Sequence, residues 1–318
     1  MIYRIILVIL CIETVLGKNV DVVEVKAGQF IFNCRTAGVK NTGEGVILLH
    51  GFPTTSYMYV DLMALLAENG YRAVAPDQRG YSTKARPKRL KEYGAENIIN
   101  DVFLLADVFG FDRFHLIGHD WGASIGWGAV TSQSDRIISW TALSVPHPKA
   151  FFDALETDDD QKIKSRYFKF FKIPYIPELF FSFNNFRVLT HNVWTSSTDK
   201  EIEKFLDVFR IKGTIKGGLN WYRANLGSKK ITALKESPAD INTPTLFIWG
   251  NQDPALGRRG TELTLQYMKG PYYRFIEIDA GHWLIQDAYD EVSEAILDHL
   301  KLTPSIIKQQ SKHVKYLP

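Results

Sequence analysis

Residues 113–122 read Arg-Phe-His-Leu-Ile-Gly-His-Asp-Trp-Gly. A short apolar run, Arg113–Gly118, stops at a glycine, and from about Trp121 the pattern changes to helical spacing, which predicts a buried strand, a tight turn and a helix. The stretch Gly118-His119-Asp120-Trp121-Gly122 is the turn, with Asp120 at its tip. Side chains at the two glycine positions would clash with the neighbouring strand and helix. The new helix directs its positive end at Asp120 and so favours an ionised carboxylate. Aspartate is also a favoured helix cap, so the chemistry of the turn has to be decided by the rest of the chain.

Working outward, strand-like and helical runs alternate. Val22–Val25 and Phe30–Arg35 read as an opening strand pair around Ala27-Gly28. Gly45–His50 is a continuous apolar run ending at Gly51; Ser56–Asn69 is helical and Tyr71–Pro76 strand-like. Asn97–Phe109 is a helix closed by Gly110, and Ile137–Val145 is a strand. Residues 148–240 contain helical and aromatic segments without a clear buried strand. The alternation resumes with Thr243–Trp249, a helix near Arg259–Met268, the strand Tyr273–Ile278 and a helix from about Gln286 to Leu300. This rhythm predicts an α/β fold, a mostly parallel sheet covered by helices on both faces, interrupted by a helical insertion. The expected boundaries are a core over 22–147 and 241–302, a cap over 148–240 and a polar, basic, solvated tail over 303–318.

The 318 residues include 45% hydrophobic and 23% charged side chains, an ordinary globular composition that excludes collagen, a coiled-coil rod and low-complexity disorder. Net charge is 38 − 35 = +3, with no dense basic stripe, so no nucleic-acid partner is expected. The two cysteines, Cys11 and Cys34, cannot build a disulfide framework. Residues 1–17 combine Arg4, the apolar stretch Ile5–Ile12 and a modest Val15-Leu16-Gly17 end. They read as a secretory signal peptide, and hence a secreted, lumenal or periplasmic chain. The alternative is a membrane anchor, although the run is short and Glu13 interrupts it.

With Asp120 where many enzymes of this pattern carry serine, the chain resembles the α/β-hydrolase superfamily over nearly all of residues 22–300. The aspartate narrows the resemblance to epoxide hydrolases and haloalkane dehalogenases, which form an ester on the carboxylate and then hydrolyse it. Such a carboxylate is already ionised at pH 7. His282, in Ala280-Gly281-His282-Trp283, is therefore expected to activate the water that attacks the ester. Asp253, in Asn251-Gln252-Asp253-Pro254, is expected to orient His282, with Asp279 as the alternative acid. His50-Gly51-Phe52-Pro53 resembles the family's oxyanion-hole loop, which implies that the backbone N–H groups of Phe52 and Trp121 stabilise the oxyanion. Asp77 and Arg79, in Asp77-Gln78-Arg79-Gly80, read as structural.

The substrate choice rests on the insertion. Epoxide opening generates an alkoxide, which needs a donor to oxygen. Tyr222, in Asn220-Trp221-Tyr222-Arg223, and Tyr167, seven residues before Pro174, resemble the two donor tyrosines of epoxide hydrolases. Phe52 stands where many dehalogenases carry asparagine, which weighs against halide release. Trp121 and Phe52 are expected at the substrate, and the aromatics of 167–186 are divided between packing and an apolar tunnel. His115 and His119 are four apart on a strand and its turn and lack the helical zinc pattern. The expected activity is hydrolysis of a lipophilic epoxide to a vicinal diol, with no metal and no organic cofactor. A haloalkane dehalogenase is the alternative enzyme, and a hydrophobic-ligand carrier or sensor the non-enzymatic one.

Overall fold

The computed structural model describes residues 13–14, 19–227, 230 and 239–313. The leader or anchor expected over 1–17 lies, but for Glu13–Thr14, outside the described residues.

Apolar runs that alternate with helices have to be buried on both faces, and they assemble into one nine-stranded sheet of order β1-β2-β3-β5-β4-β6-β7-β8-β9. The strands are β1 (Glu13–Thr14), β2 (Val20–Ala27), β3 (Phe30–Ala37), β4 (Gly45–Leu49), β5 (Arg72–Pro76), β6 (Phe114–His119), β7 (Ile137–Leu143), β8 (Thr245–Gly250) and β9 (Tyr273–Ile278). β1, β2 and β3 pair antiparallel, and β3 meets β5 antiparallel. From β5 across to β9 every pairing is parallel. The central strands β4, β6, β7 and β8 are buried at every position. This is the α/β-hydrolase arrangement with a mostly parallel sheet.

Three connecting helices, α1 (Val60–Glu68), α2 (Ala95–Val108) and α3 (Trp121–Ser132), belong to the core. Between β7 and β8 the described residues form six helices and no strand: α4 (Pro148–Thr157), α5 (Asp159–Lys164), α6 (Tyr167–Phe171), α7 (Ile176–Val188), α8 (Asp199–Phe209) and α9 (Thr214–Asn225). They close over the strand ends that carry the elbow. Trp194 Nε1 donates to Pro53 O at 2.9 Å, and Trp221 Nε1 to Arg79 O at 2.9 Å. The remaining helices are α10 (Arg258–Leu263), α11 (Leu284–Asp287) and α12 (Tyr289–His313).

Helix α12 corrects one expectation. The final helix was expected to end at about Leu300, yet its backbone stays helical to His313. No glycine follows Leu300 to stop the helix. Asp77 accepts from Ser56 N and Oγ, and Arg79 forms a buried ion pair with Asp101 at 2.7 Å, so both brace the core.

Candidate active site

The turn after β6 is as tight as its glycines require. A Cβ on Gly118 would lie 2.4 Å from Gly122 O, and one on Gly122 would lie 2.0 Å from Leu49 O. Asp120 has φ 52° and ψ −122°, a conformation rarely adopted by residues with side chains. Such a conformation costs on the order of 1–3 kcal/mol and persists only where the surroundings enforce it. It lifts the carboxylate off the strand end into a space bounded by the 50–53 loop and the C-terminal loops.

Three of the expected side chains, Asp120, His282 and Asp253, meet there beside the backbone N–H groups of Phe52 and Trp121. Phe52 N donates to Asp120 Oδ1 at 2.7 Å, and the Trp121 N–H also bonds to this carboxylate. Asp120 Oδ2 faces His282 Nε2 at 3.6 Å, while His282 Nδ1 lies 2.7 Å from Asp253 Oδ2. The other oxygen of Asp253 accepts from Ala255 N at 2.7 Å and Leu256 N at 3.0 Å. Asp253 is therefore fixed by backbone donors, and its second oxygen is committed to the histidine. Asp279 accepts from Gln252 Nε2 at 2.7 Å instead.

Electrostatics follow from this geometry. Burial opposes a charge on His282, but the adjacent Asp253 and Asp120 carboxylates override it and raise the imidazole to about 10. Burial would raise Asp120, yet His282, His119 and the Trp121 N–H hold it below the ordinary value. Tyr167 and Tyr222 are held well above the usual phenol range, first by burial and then by the Asp120 charge. Both therefore keep their protons at neutral pH. Their rings lie 6.2 Å apart, and the Tyr222 hydroxyl contacts the Trp121 side chain.

Asp120, Trp121, Tyr167 and Tyr222 share the wall of one cavity of about 350 Å³. Its body is apolar, including Phe151, Phe152 and Leu256, and Glu96 and Lys230 stand at its polar edge. Phe52 requires a correction. Its N–H serves the carboxylate, but its ring is not on the cavity wall. Phe171, Phe181, Phe209 and Tyr222 bracket that ring at 5.6–6.4 Å. Of the 167–186 aromatics, only Tyr167 and Phe168 reach the wall, so the expected tunnel lining is mostly packing.

Two positioning residues escaped the sequence reading. His119 Nε2 and Ser144 Oγ both lie 2.8 Å from the backbone oxygen of His282 and tie the histidine loop to the ends of β6 and β7. Burial and the neighbouring His282 lower His119 to about 4, so it is a neutral donor. The place of His119 next to Asp120 was the available signal; nothing local marks Ser144, whose φ is 68°. His115 bonds Glu44 and Ser139, away from His119, and no metal-binding cluster occurs among the described residues.

Fold and site together define a hydrolase whose elbow carries a carboxylate. The alpha/beta hydrolase fold family model matches residues 45–289. Epoxide hydrolase 3 of Xenopus tropicalis is 34% identical over 80% of this chain and 71% of its own length. Human epoxide hydrolase 4 is 33% identical over 80% and 72%. The crystal structure of epoxide hydrolase A from Mycobacterium thermoresistibile superposes with a TM-score of 0.74 at 27% identity, covering 89% of this chain and 98% of that one. The chain belongs to the α/β-hydrolase fold family and, within it, to the epoxide hydrolases.

Proposed function

We propose that this enzyme opens a lipophilic epoxide with Asp120 and releases a vicinal diol. The observation that carries the reading is the division of labour between the Asp120 oxygens. Oδ1 is held by Phe52 N, and Oδ2 faces His282. Oδ2 attacks an epoxide carbon, the carbon–oxygen bond of the ring breaks, and its electron pair takes a proton from Tyr167 or Tyr222. An alkoxide is a far stronger base than a phenolate, so raised phenols still deliver that proton. The product is an ester whose carbonyl oxygen, Oδ1, already sits on the Phe52 N–H.

Water then adds to the Asp120 carbonyl carbon as His282 Nε2 takes its proton. Negative charge builds on Oδ1 against the N–H groups of Phe52 and Trp121. Collapse breaks the bond from the carbonyl carbon to Oδ2, the diol leaves with that oxygen as the protonated His282 gives it a proton, and the new carboxylic acid of Asp120 returns its proton to the tyrosinate. Asp253 holds the imidazole orientation throughout. The residues in hand carry each step without a metal or organic cofactor.

The apolar cavity body supports a lipophilic epoxide. The phenols of Tyr167 and Tyr222 favour an oxygen leaving group over a halide, and a complete Asp120–His282–Asp253 set is superfluous in a carrier. Diol release from a panel of epoxides, beside halide release from haloalkanes, tests the assignment; halide release without diol would overturn it. Residues 1–17 are proposed as a secretory leader with a membrane anchor as the alternative, which amino-terminal sequencing of the exported chain decides. No helix among the described residues is long and apolar enough to cross a membrane.

A further inference from the structure

The cap has an unusual outer face. Six large exposed apolar side chains fall within residues 173–183: Ile173, Tyr175, Ile176, Leu179, Phe180 and Phe183. Tyr175, Leu179 and Phe183 are 71%, 69% and 74% exposed, values that leave these side chains almost wholly outside the fold. Ile176, Leu179 and Phe180 recur at the spacing of one helix face and Phe183 follows where the helix breaks, while Pro177 and Phe181 are buried. Helix α7 is thus apolar both inward and outward. A helix of that kind belongs in a protein interior or against a second apolar phase.

Charge indicates which phase. From Arg166 to Arg187 the cations are Arg166, Lys169, Lys172 and Arg187, and the one acid is Glu178, giving 4 − 1 = +3. Arg223 holds Glu178 at 2.6 and 2.9 Å, so that acid is neutralised. Lys172 donates to Leu226 O, whereas Arg166, Lys169 and Arg187 are exposed. An apolar stripe fringed by cations is the composition of a helix lying in the plane of a membrane surface. Cations beside it complement anionic headgroups. A second copy of this chain meeting the same face would oppose one cationic fringe to another.

We propose that the outer face of α6 and α7 docks on a membrane surface carrying anionic phospholipid, with Tyr175, Leu179 and Phe183 at the boundary of headgroups and acyl chains. This docking stands independently of the reaction catalysed. It does place the membrane beside the cavity wall: Phe180 packs on Phe170 and Phe181 at 5.4 Å each, Phe181 on Phe171 at 5.4 Å, and Phe171 on Tyr222 at 4.9 Å.

The apolar residues 1–12 could hold the full chain on vesicles by themselves, so the test has to report on the cap locally. In the full chain carrying Cys11→Ser, Leu179→Cys is labelled with an environment-sensitive fluorophore; Cys34 is buried and stays unlabelled. Phosphatidylcholine vesicles containing phosphatidylserine are expected to blue-shift the label, with a smaller shift on pure phosphatidylcholine or at high salt. A label at the exposed core position Ser132→Cys is expected to stay aqueous. A label at Tyr175→Cys is expected to shift likewise and to lose most of that shift when Leu179→Ser and Phe183→Ser are added, with thermal unfolding unchanged. A label at 179 that stays aqueous while the chain floats overturns the proposal. So does a doubly substituted chain whose label at 175 shifts as in the parent, or a concentration-dependent blue shift without lipid, which would mark a self-association face.

Discussion

The backbone N–H of Phe52 donates to Oδ1 of Asp120 at 2.7 Å, so the carboxylate proposed as nucleophile has one oxygen already held at the proposed oxyanion site. The carboxylate is pinned as it will be held after it becomes an ester, and only Oδ2 is left to attack. The pinning depends on Gly51, where a Cβ would lie 2.2 Å from Asp120 Oδ1 and 2.6 Å from its Cγ. Gly51→Ala is expected to leave the sheet intact and to displace the carboxylate. Ester formation in single-turnover kinetics should fall by about 10²-fold, the scale for misplacing a reacting group by roughly an ångström.

The two oxygens also make distinguishable isotopic predictions. In a single turnover in ¹⁸O-labelled water, the diol is expected to leave with unlabelled Oδ2 and the label to enter Asp120. Peptide mass spectrometry reads both. Label appearing directly in the diol would mean that water opens the epoxide and Asp120 is no nucleophile.

Replacing His282 with Gln is expected to spare alkylation and stall hydrolysis, because Asp120 attacks without a base and water does not. Intact-protein mass spectrometry should then show a covalent adduct with the mass of the epoxide. Asp120→Ala should give neither adduct nor diol.

Tyr167→Phe and Tyr222→Phe each remove one hydroxyl from the cavity wall and preserve shape. Losing one donor to the developing alkoxide is expected to cost about 2.7–4 kcal/mol in the ring-opening step. The double variant should scarcely open epoxides while still binding apolar ligands. Unchanged alkylation rates in both single variants would remove the tyrosines from the mechanism.

The parts of this site that could be read from sequence are those with strong local constraints. The elbow needs two glycines around Asp120; Asp253 follows the buried strand β8, and His282 follows β9, the last strand of the sheet. Contacts made across distant segments left no such trace. Ser144 reaches the backbone of His282 over 138 residues. The Phe52 ring was assigned to substrate because it stands where many dehalogenases carry asparagine, yet four cap aromatics surround it. Within the aromatic-rich stretch 167–186, composition could not say which rings face inward, since α7 is apolar on both sides and its backbone breaks at Phe183–Phe186. The helical end at residues 303–313 was missed because polar sequence carries no core-facing stripe to mark its period.

His282 yields a prediction about pH. Burial opposes its charge, but Asp253 and Asp120 raise it from an ordinary 6.5 to about 10. A group raised on folding contributes stability that is fully present below its unfolded value and is lost as pH rises through its folded value. The excess thermal stability of the parent over His282→Gln should therefore be greatest below about pH 6.5 and decline toward pH 10, as followed by melting temperature across that range. Alkylation neutralises Asp120 and leaves Asp253 as the one carboxylate against the ring, so the imidazole becomes easier to deprotonate once the ester has formed. Hydrolysis of the ester in single turnovers should then rise with pH around a midpoint below that of His282 in the free enzyme, measured by nuclear magnetic resonance of the imidazole. Coincident midpoints would show that Asp120 does not govern the base, and the 3.6 Å contact between them would be reduced to simple proximity.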